Sequence, residues 1–70
     1  MRTAKQILTF IIKEKAQGNT FQELNIQMKI MMKGFNVKGI MDEKIPDTPD
    51  LIEKLEVIAK DFDVDLKKME

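Results

Sequence analysis

Three acidic residues near the end of the chain are spaced like the ligands that open a calcium-binding loop. Asp61, Asp63 and Asp65 alternate with apolar residues. Such a loop needs a glycine directly after these ligands and a bidentate glutamate at its twelfth position. Here Leu66 follows Asp65, and the twelfth position falls past residue 70. We therefore expect no metal site.

The residue types that most enzymes use are missing or stand without partners. The chain contains no Cys and no His, which removes thiolate nucleophiles, imidazole bases and the common transition-metal ligands. Carboxylates are paired in sequence at Asp42 and Glu43 and at Asp47 and Asp50, but acidic residues around a helix start are usually caps. We expect no catalytic activity, no cofactor and no small-molecule substrate.

The basic residues are concentrated in the first part of the chain. Residues 1–40 carry seven Lys or Arg and two Glu, a net charge of +5, whereas residues 41–70 carry five Lys and ten Asp or Glu, a net charge of −5. One end of the molecule should therefore attract anions although the total charge is zero. If the anion is DNA, the expected phosphate contacts are Lys29, Lys33, Lys38 and Lys44, and Asn36 can reach a base edge.

Apolar periodicity predicts three main helices that would position these groups. Thr3 caps a first helix that continues to about Gln17 and presents a wide apolar face, which indicates that protein surrounds it on most sides. A second helix begins after a Thr20 cap and extends to about Lys33. A third begins at Pro49, behind a Thr48 cap, and extends to about Asp61.

The second helix has two apolar faces. We expect its main stripe to lie in the core; this stripe consists of Phe21, Leu24, Met28, Met31 and Met32. Ile26 and Ile30 lie on the opposite side and cannot share that core. Either the third helix covers them, or they form the interface with a second copy of the chain or with another protein.

The segment between the second and third helices is ambiguous. Phe35 and Val37 alternate with polar residues as in a short strand, while residues 37–44 also fit two helical turns, with Gly39 counting against a helix. The acidic tail fits either an edge strand or a turn that leads into a last helical turn. The predicted fold of residues 1–70 is one small all-α domain, or α with a short two-stranded element: a compact bundle of three main helices, similar to a helix-turn-helix domain.

The order of these elements resembles the Cro/repressor-type helix-turn-helix family over residues 4–66. That family shows a Gly-x-Thr-x-x-Glu-Leu entry to its second helix, matched by Gly18, Thr20, Glu23 and Leu24, and a later Pro and Leu followed by an Ile-Ala…Val ending, matched by Pro46, Leu51, Ile58, Ala59 and Val64. The chain departs from the family pattern after Leu24, where no glycine appears until Gly34. A recognition helix would then occupy residues 36–44.

Two functions follow as hypotheses. The resemblance implies a DNA-binding transcriptional regulator that acts as a homodimer. The two-faced second helix indicates instead a small helical protein–protein interaction module, binding itself or another protein. The absence of Cys and of any long apolar run predicts a cytoplasmic protein that is not inserted in a membrane.

Overall fold

The computed structural model describes residues 3–69 and, within that range, shows an all-helical fold. Its four α-helices are α1 (Ala4–Ala16), α2 (Thr20–Met32), α3 (Val37–Met41) and α4 (Pro49–Asp61). A short 3-10 helix follows at Leu66–Met69. The predicted all-α class is confirmed, and the two alternatives that placed short strands in residues 35–37 and 61–66 are wrong.

Local sequence signals define both ends of α1. The Gln6 N–H donates to Thr3 Oγ1 at 3.1 Å, and the Thr3 N–H donates to Gln6 Oε1 at 2.9 Å, which forms a capping box. At the other end Gln17 and Gly18 adopt positive φ angles of 50° and 84°. A left-handed residue stops a helix because its N–H turns back to the last carbonyl groups.

Helix α2 begins one residue earlier than the sequence predicts. Asn19 rather than Thr20 is the N-cap, and its Oδ1 accepts hydrogen bonds from the N–H groups of Phe21 (2.9 Å) and Gln22 (3.3 Å). The helix ends at Met32, and Gly34 follows with a φ of 100°. This conformation is costly for residues other than glycine, so Gly34 sets the direction in which the chain leaves α2.

Helix α3 is shorter than the predicted helical alternative and depends on a small residue at its centre. Asn36 caps it, and the Gly39 N–H donates to Asn36 Oδ1 at 2.9 Å. A β-carbon at position 39 would lie 2.7 Å from Asn36 Nδ2 and 2.8 Å from Ile45 Cδ1. A larger residue at this position would force the side chains of Asn36 and Ile45 to shift, so close packing favours Gly39 although its helix propensity is poor.

Helix α4 and the tail follow the sequence signals closely. Thr48 is the N-cap, Pro49 occupies the first turn, and the Leu51 N–H donates to Thr48 Oγ1 at 3.2 Å. Beyond the helix, the Val64 N–H donates to the Ala59 carbonyl oxygen at 2.7 Å and Val64 is buried. The tail thus folds back onto the domain through a turn before the 3-10 helix.

The core is built around α1. This helix contributes six buried residues, Ala4, Ile7, Leu8, Ile11, Ile12 and Ala16, and α2, α3, α4 and the 3-10 helix all pack against it. Helices α2 and α3 add two buried apolar side chains each, α4 adds three and the 3-10 helix adds none. No polar side chain of residues 3–69 is buried. The prediction that protein surrounds the first helix on most sides is confirmed.

The two faces of α2 are oriented opposite to the prediction. Ile26 and Ile30 are 6% and 0% exposed and belong to the same core as the buried face of α1. They are therefore not an exposed dimer or partner interface, because the chain's own packing covers them. The expected core stripe is instead the exposed side of the helix. Helix α2 as a whole packs mainly against α1 and little against α4, the third of the predicted main helices.

We expect Ile30→Ala to lower the free energy of unfolding by about 2–5 kcal/mol, because it removes a fully buried side chain and leaves a cavity. Urea denaturation followed by circular dichroism measures the change. Val57→Ala is the matched control, since Val57 is 52% exposed on α4, and it should change stability by no more than about 0.5 kcal/mol. An Ile30→Ala effect no larger than that of the control would contradict the placement of Ile30 in the core.

Candidate functional site

The most unusual surface in the described part of the chain is an apolar face on α2, which we call the α2 stripe. All its members are large apolar side chains between 53% and 85% exposed: Phe21, Leu24, Met28, Met31 and Met32. Isolated apolar side chains on a surface are common, but a contiguous patch usually marks an interaction site. Among residues 3–69, Val57 is the one other large apolar side chain that is more than half exposed, and it lies on α4.

Helix geometry explains why the stripe cannot turn inward. At 100° per residue, the stripe covers an arc of roughly 100°, and its centre lies nearly opposite the midpoint of Ile26 and Ile30. Since those two isoleucines pack into the core, the stripe must point away from it. The exposed face is therefore a direct consequence of which side of α2 packs on α1.

The edges of the stripe are polar but uncharged. Thr20 and Gln27 lie on one side of it, and Asn25 lies on the other side next to Met32. The charged residues nearest to it, Glu23 and Lys29, are roughly 60–80° further around the helix. The surface is thus apolar at its centre, with a neutral polar rim.

The predicted DNA-contacting lysines are exposed. Lys29 lies in the last turn of α2, Lys38 in α3 and Lys44 in the loop that follows. Lys33 Nζ lies 3.7 Å from Asp61 Oδ2, in an ion pair that joins the end of α2 to the end of α4. Both side chains are about half exposed, so solvent screens the pair and its contribution to stability is small.

The candidate recognition helix presents little surface. Of the five residues of α3, Val37, Gly39 and Ile40 are buried and Met41 is half-buried, which leaves Lys38 exposed. Asn36, the candidate base-reading residue, uses its side-chain oxygen to cap α3. DNA-reading helices place several side chains in the major groove, whereas this one is about 7.5 Å long and largely turned inward.

Two of the three acidic residues spaced like calcium ligands have partners within the domain. Asp61 pairs with Lys33, and Asp65 Oδ1 accepts a hydrogen bond from the Lys67 N–H at 2.9 Å, while Asp63 lies between them with a φ of 60°. Within residues 3–69, no group of three acidic, His or Cys side chains is arranged to hold a metal ion.

Three of the four paired carboxylates have partners at the surface. Asp47 Oδ1 accepts a hydrogen bond from the Ala4 N–H at 2.9 Å, which ties the loop before α4 to the first turn of α1. Glu43 lies 3.6 Å from Lys5, and Asp50 lies 3.3 Å from Lys54. The interpretation of these acidic residues as caps of the helix that follows them is wrong, because Thr48 is the N-cap of α4 and Asp47 bonds to the first turn of α1.

The described residues also line two open grooves. One lies between α1 and α4 and includes Phe10 and Ile52, and the other is lined by Phe35, Ile45 and Leu51. Both grooves also contain lysine and acidic side chains, so their character is mixed. The α2 stripe differs from them in carrying no charge.

Comparisons with models of known protein families, with curated proteins and with solved structures found no match to this chain. Among the described residues, no helix has the length and apolar character needed to cross a membrane. The site must therefore be interpreted from its own geometry.

We expect Asn36→Ala to destabilise the protein by about 0.5–2 kcal/mol in the absence of DNA, because the Gly39 N–H loses its acceptor. Asn36→Asp, which keeps an oxygen at this position, should retain most of the stability. Thermal unfolding of the two variants beside the wild type measures the difference. Equal stability of all three proteins would contradict the role of Asn36 as a cap.

Proposed function

We propose that this protein is a small, non-catalytic helical interaction module that binds a protein partner through the α2 stripe. The observation that carries the proposal is the exposure of five large apolar side chains on one face of one helix. A face of this kind is suited to packing against an apolar surface of another protein, as amphipathic helices do when they bind through residues spaced three and four apart.

Energetic considerations support this use of the stripe. One aromatic side chain alone can bury about 150–250 Å², so five large side chains offer a patch on the order of several hundred Å². At about 25 cal/mol per Å², covering it would release several kcal/mol before the cost of association is subtracted. Three of the five residues are methionines, whose flexible thioether side chains adapt to the shape of a partner.

The proposal includes no catalysis, because the chain has no thiol or imidazole and most of the carboxylates described above are held in surface hydrogen bonds or ion pairs. It includes no cofactor and no small-molecule substrate. A cytoplasmic location, which the absence of cysteine favours, belongs to the same proposal.

DNA binding by a homodimer receives less support from the geometry. The order of α2, a turn and α3 resembles a helix-turn-helix, and Lys29, Lys38 and Lys44 are accessible to phosphates. Against this, α3 buries most of its residues, and Asn36 is committed to the cap. DNA binding therefore stays a prediction of the sequence.

Photo-crosslinking in cells tests the proposed interaction. We expect benzoyl-phenylalanine at position 21 to form a defined covalent adduct, either with a second copy or with another protein, because Phe21 lies in the stripe and is 80% exposed. Mass spectrometry identifies the adduct. The same amino acid at position 57 is the matched control and should give none.

The crosslinking experiment has one outcome that contradicts the proposal. If position 21 reacts no more than position 57, the stripe does not contact another protein under the conditions used, and the proposed function is wrong. Both labelled proteins should melt at the same temperature as the wild type, which establishes that each is folded.

Binding to a random DNA duplex separates the two functions. We expect no measurable binding at low salt, because the accessible lysines are balanced by the acidic half of the chain. Fluorescence anisotropy of a labelled duplex measures the affinity. Binding that weakens steeply as salt is added, and that Lys38→Gln weakens further, would favour the DNA-binding regulator instead.

A further inference from the structure

We infer that the partner of the α2 stripe is a second copy of this chain, packed with its α2 antiparallel to the first about a twofold axis. The inference rests on the proposed function and specifies the partner. Three observations carry it: the spacing of the stripe, the neutrality of its edges, and the different side chains at its two ends.

The spacing of the stripe is that of a helix–helix seam. Phe21, Leu24, Met28 and Met31 are separated by three, four and three residues, which is the alternation of the a and d positions of a heptad. Residues spaced in this way lie in a narrow line along a helix and pack between the side chains of a second helix. The stripe therefore fits another helix along the whole of α2, which is about 20 Å long.

The edges of the stripe favour an identical partner. The residues on either side of a helix–helix seam face the flanking residues of the other helix. When such residues are charged, two copies of one chain place like charges next to each other. The flanking positions here are Thr20, Asn25, Gln27 and Met32, none of which carries a charge. A second copy meets no repulsion at these positions, whereas a strongly charged partner would find no complementary charge.

The ends of the stripe favour the antiparallel direction. Phe21 is the aromatic residue at the start of α2, and Met31 and Met32 lie at its end. In an antiparallel pair, Phe21 of each copy lies opposite Met31 of the other, and Leu24 lies opposite Met28. Contacts between a methionine sulfur and an aromatic ring are favourable, and each copy makes the same set of contacts, as a twofold interface requires.

The size of the surface is consistent with a small dimer. Two patches of several hundred Å² each approach the lower end of the roughly 1,200–2,000 Å² that stable interfaces bury. The pair buries no charged residue, so no cost of removing ions from water opposes its formation. We therefore expect dimers that dissociate on dilution.

Sedimentation velocity of the purified chain over a wide concentration range tests the self-association. The wild type should shift from monomer to dimer as its concentration rises. The double variant Leu24→Asp, Met28→Asp places two charges at the centre of the seam and should stay monomeric at every concentration. Because both side chains are exposed, this variant should keep the helical circular dichroism of the wild type.

Val57→Asp is the matched control for the seam variant. It places a carboxylate on an equally exposed apolar position of α4, outside the stripe, and should dimerise like the wild type. A wild type that is monomeric at all concentrations, or a Val57→Asp variant that loses the dimer as completely as the seam variant, would overturn the inference.

The absence of native cysteine allows a test of direction by disulfide formation. In the antiparallel pair, position 21 of one copy lies about 15 Å along the axis from position 21 of the other, beyond the reach of a disulfide. Phe21→Cys and Met31→Cys should therefore each form few crosslinks alone and should form a mixed disulfide when combined. Efficient crosslinking of each variant with itself would show a parallel pair and overturn the antiparallel arrangement.

Failure of this inference can be told apart from failure of the proposed function. A monomeric wild type whose position 21 crosslinks in cells to a different protein overturns the second copy as partner and leaves the proposed function in place. A monomeric wild type whose position 21 crosslinks to nothing overturns both.

Discussion

The packing of α1 against every other element is the interaction on which the rest of this structure depends. Six of its thirteen residues are buried, and α2, α3, α4 and the 3-10 helix each lie against it. A chain of 70 residues has a limited number of apolar side chains, and packing the other elements around one helix forms a core from few of them. The consequence is that α2 and α4 act as outer helices, each of which needs only one buried face.

Helix α2 has more apolar surface than an outer helix can bury. Ile26 and Ile30 satisfy its contact with α1, and the five residues of the α2 stripe are left in solvent. The α2 stripe is therefore apolar surface that remains in contact with water after the chain has folded. A small domain that exposes such a surface gains stability by associating, because folding alone cannot remove it from water. The same packing that forms the core thus determines which apolar face stays exposed.

The region around α3 shows how packing changes the role of a residue. From the sequence alone, Asn36 is a candidate to contact a DNA base, and Gly39 is a residue that disfavours a helix. In the structure they form one unit, in which Asn36 caps α3 and Gly39 leaves room for Asn36 and Ile45. The short helix that results is turned inward. This local arrangement leaves Lys38 as the one exposed side chain of α3.

Local signals in the sequence determined the helices: the caps at Thr3 and Thr48, the stops at Gly18 and Gly34, and Pro49 in the first turn of α4. These signals act through hydrogen bonds between neighbouring residues, so they can be read without knowing the fold. The sequence also revealed that α2 has two apolar faces. Which face is buried was decided by tertiary structure alone, because periodicity gives the angle of each side chain around its helix and not what packs against it. For this reason the methionine face, expected in the core, is exposed to solvent, and Ile26 and Ile30, expected as an interface, lie inside the domain.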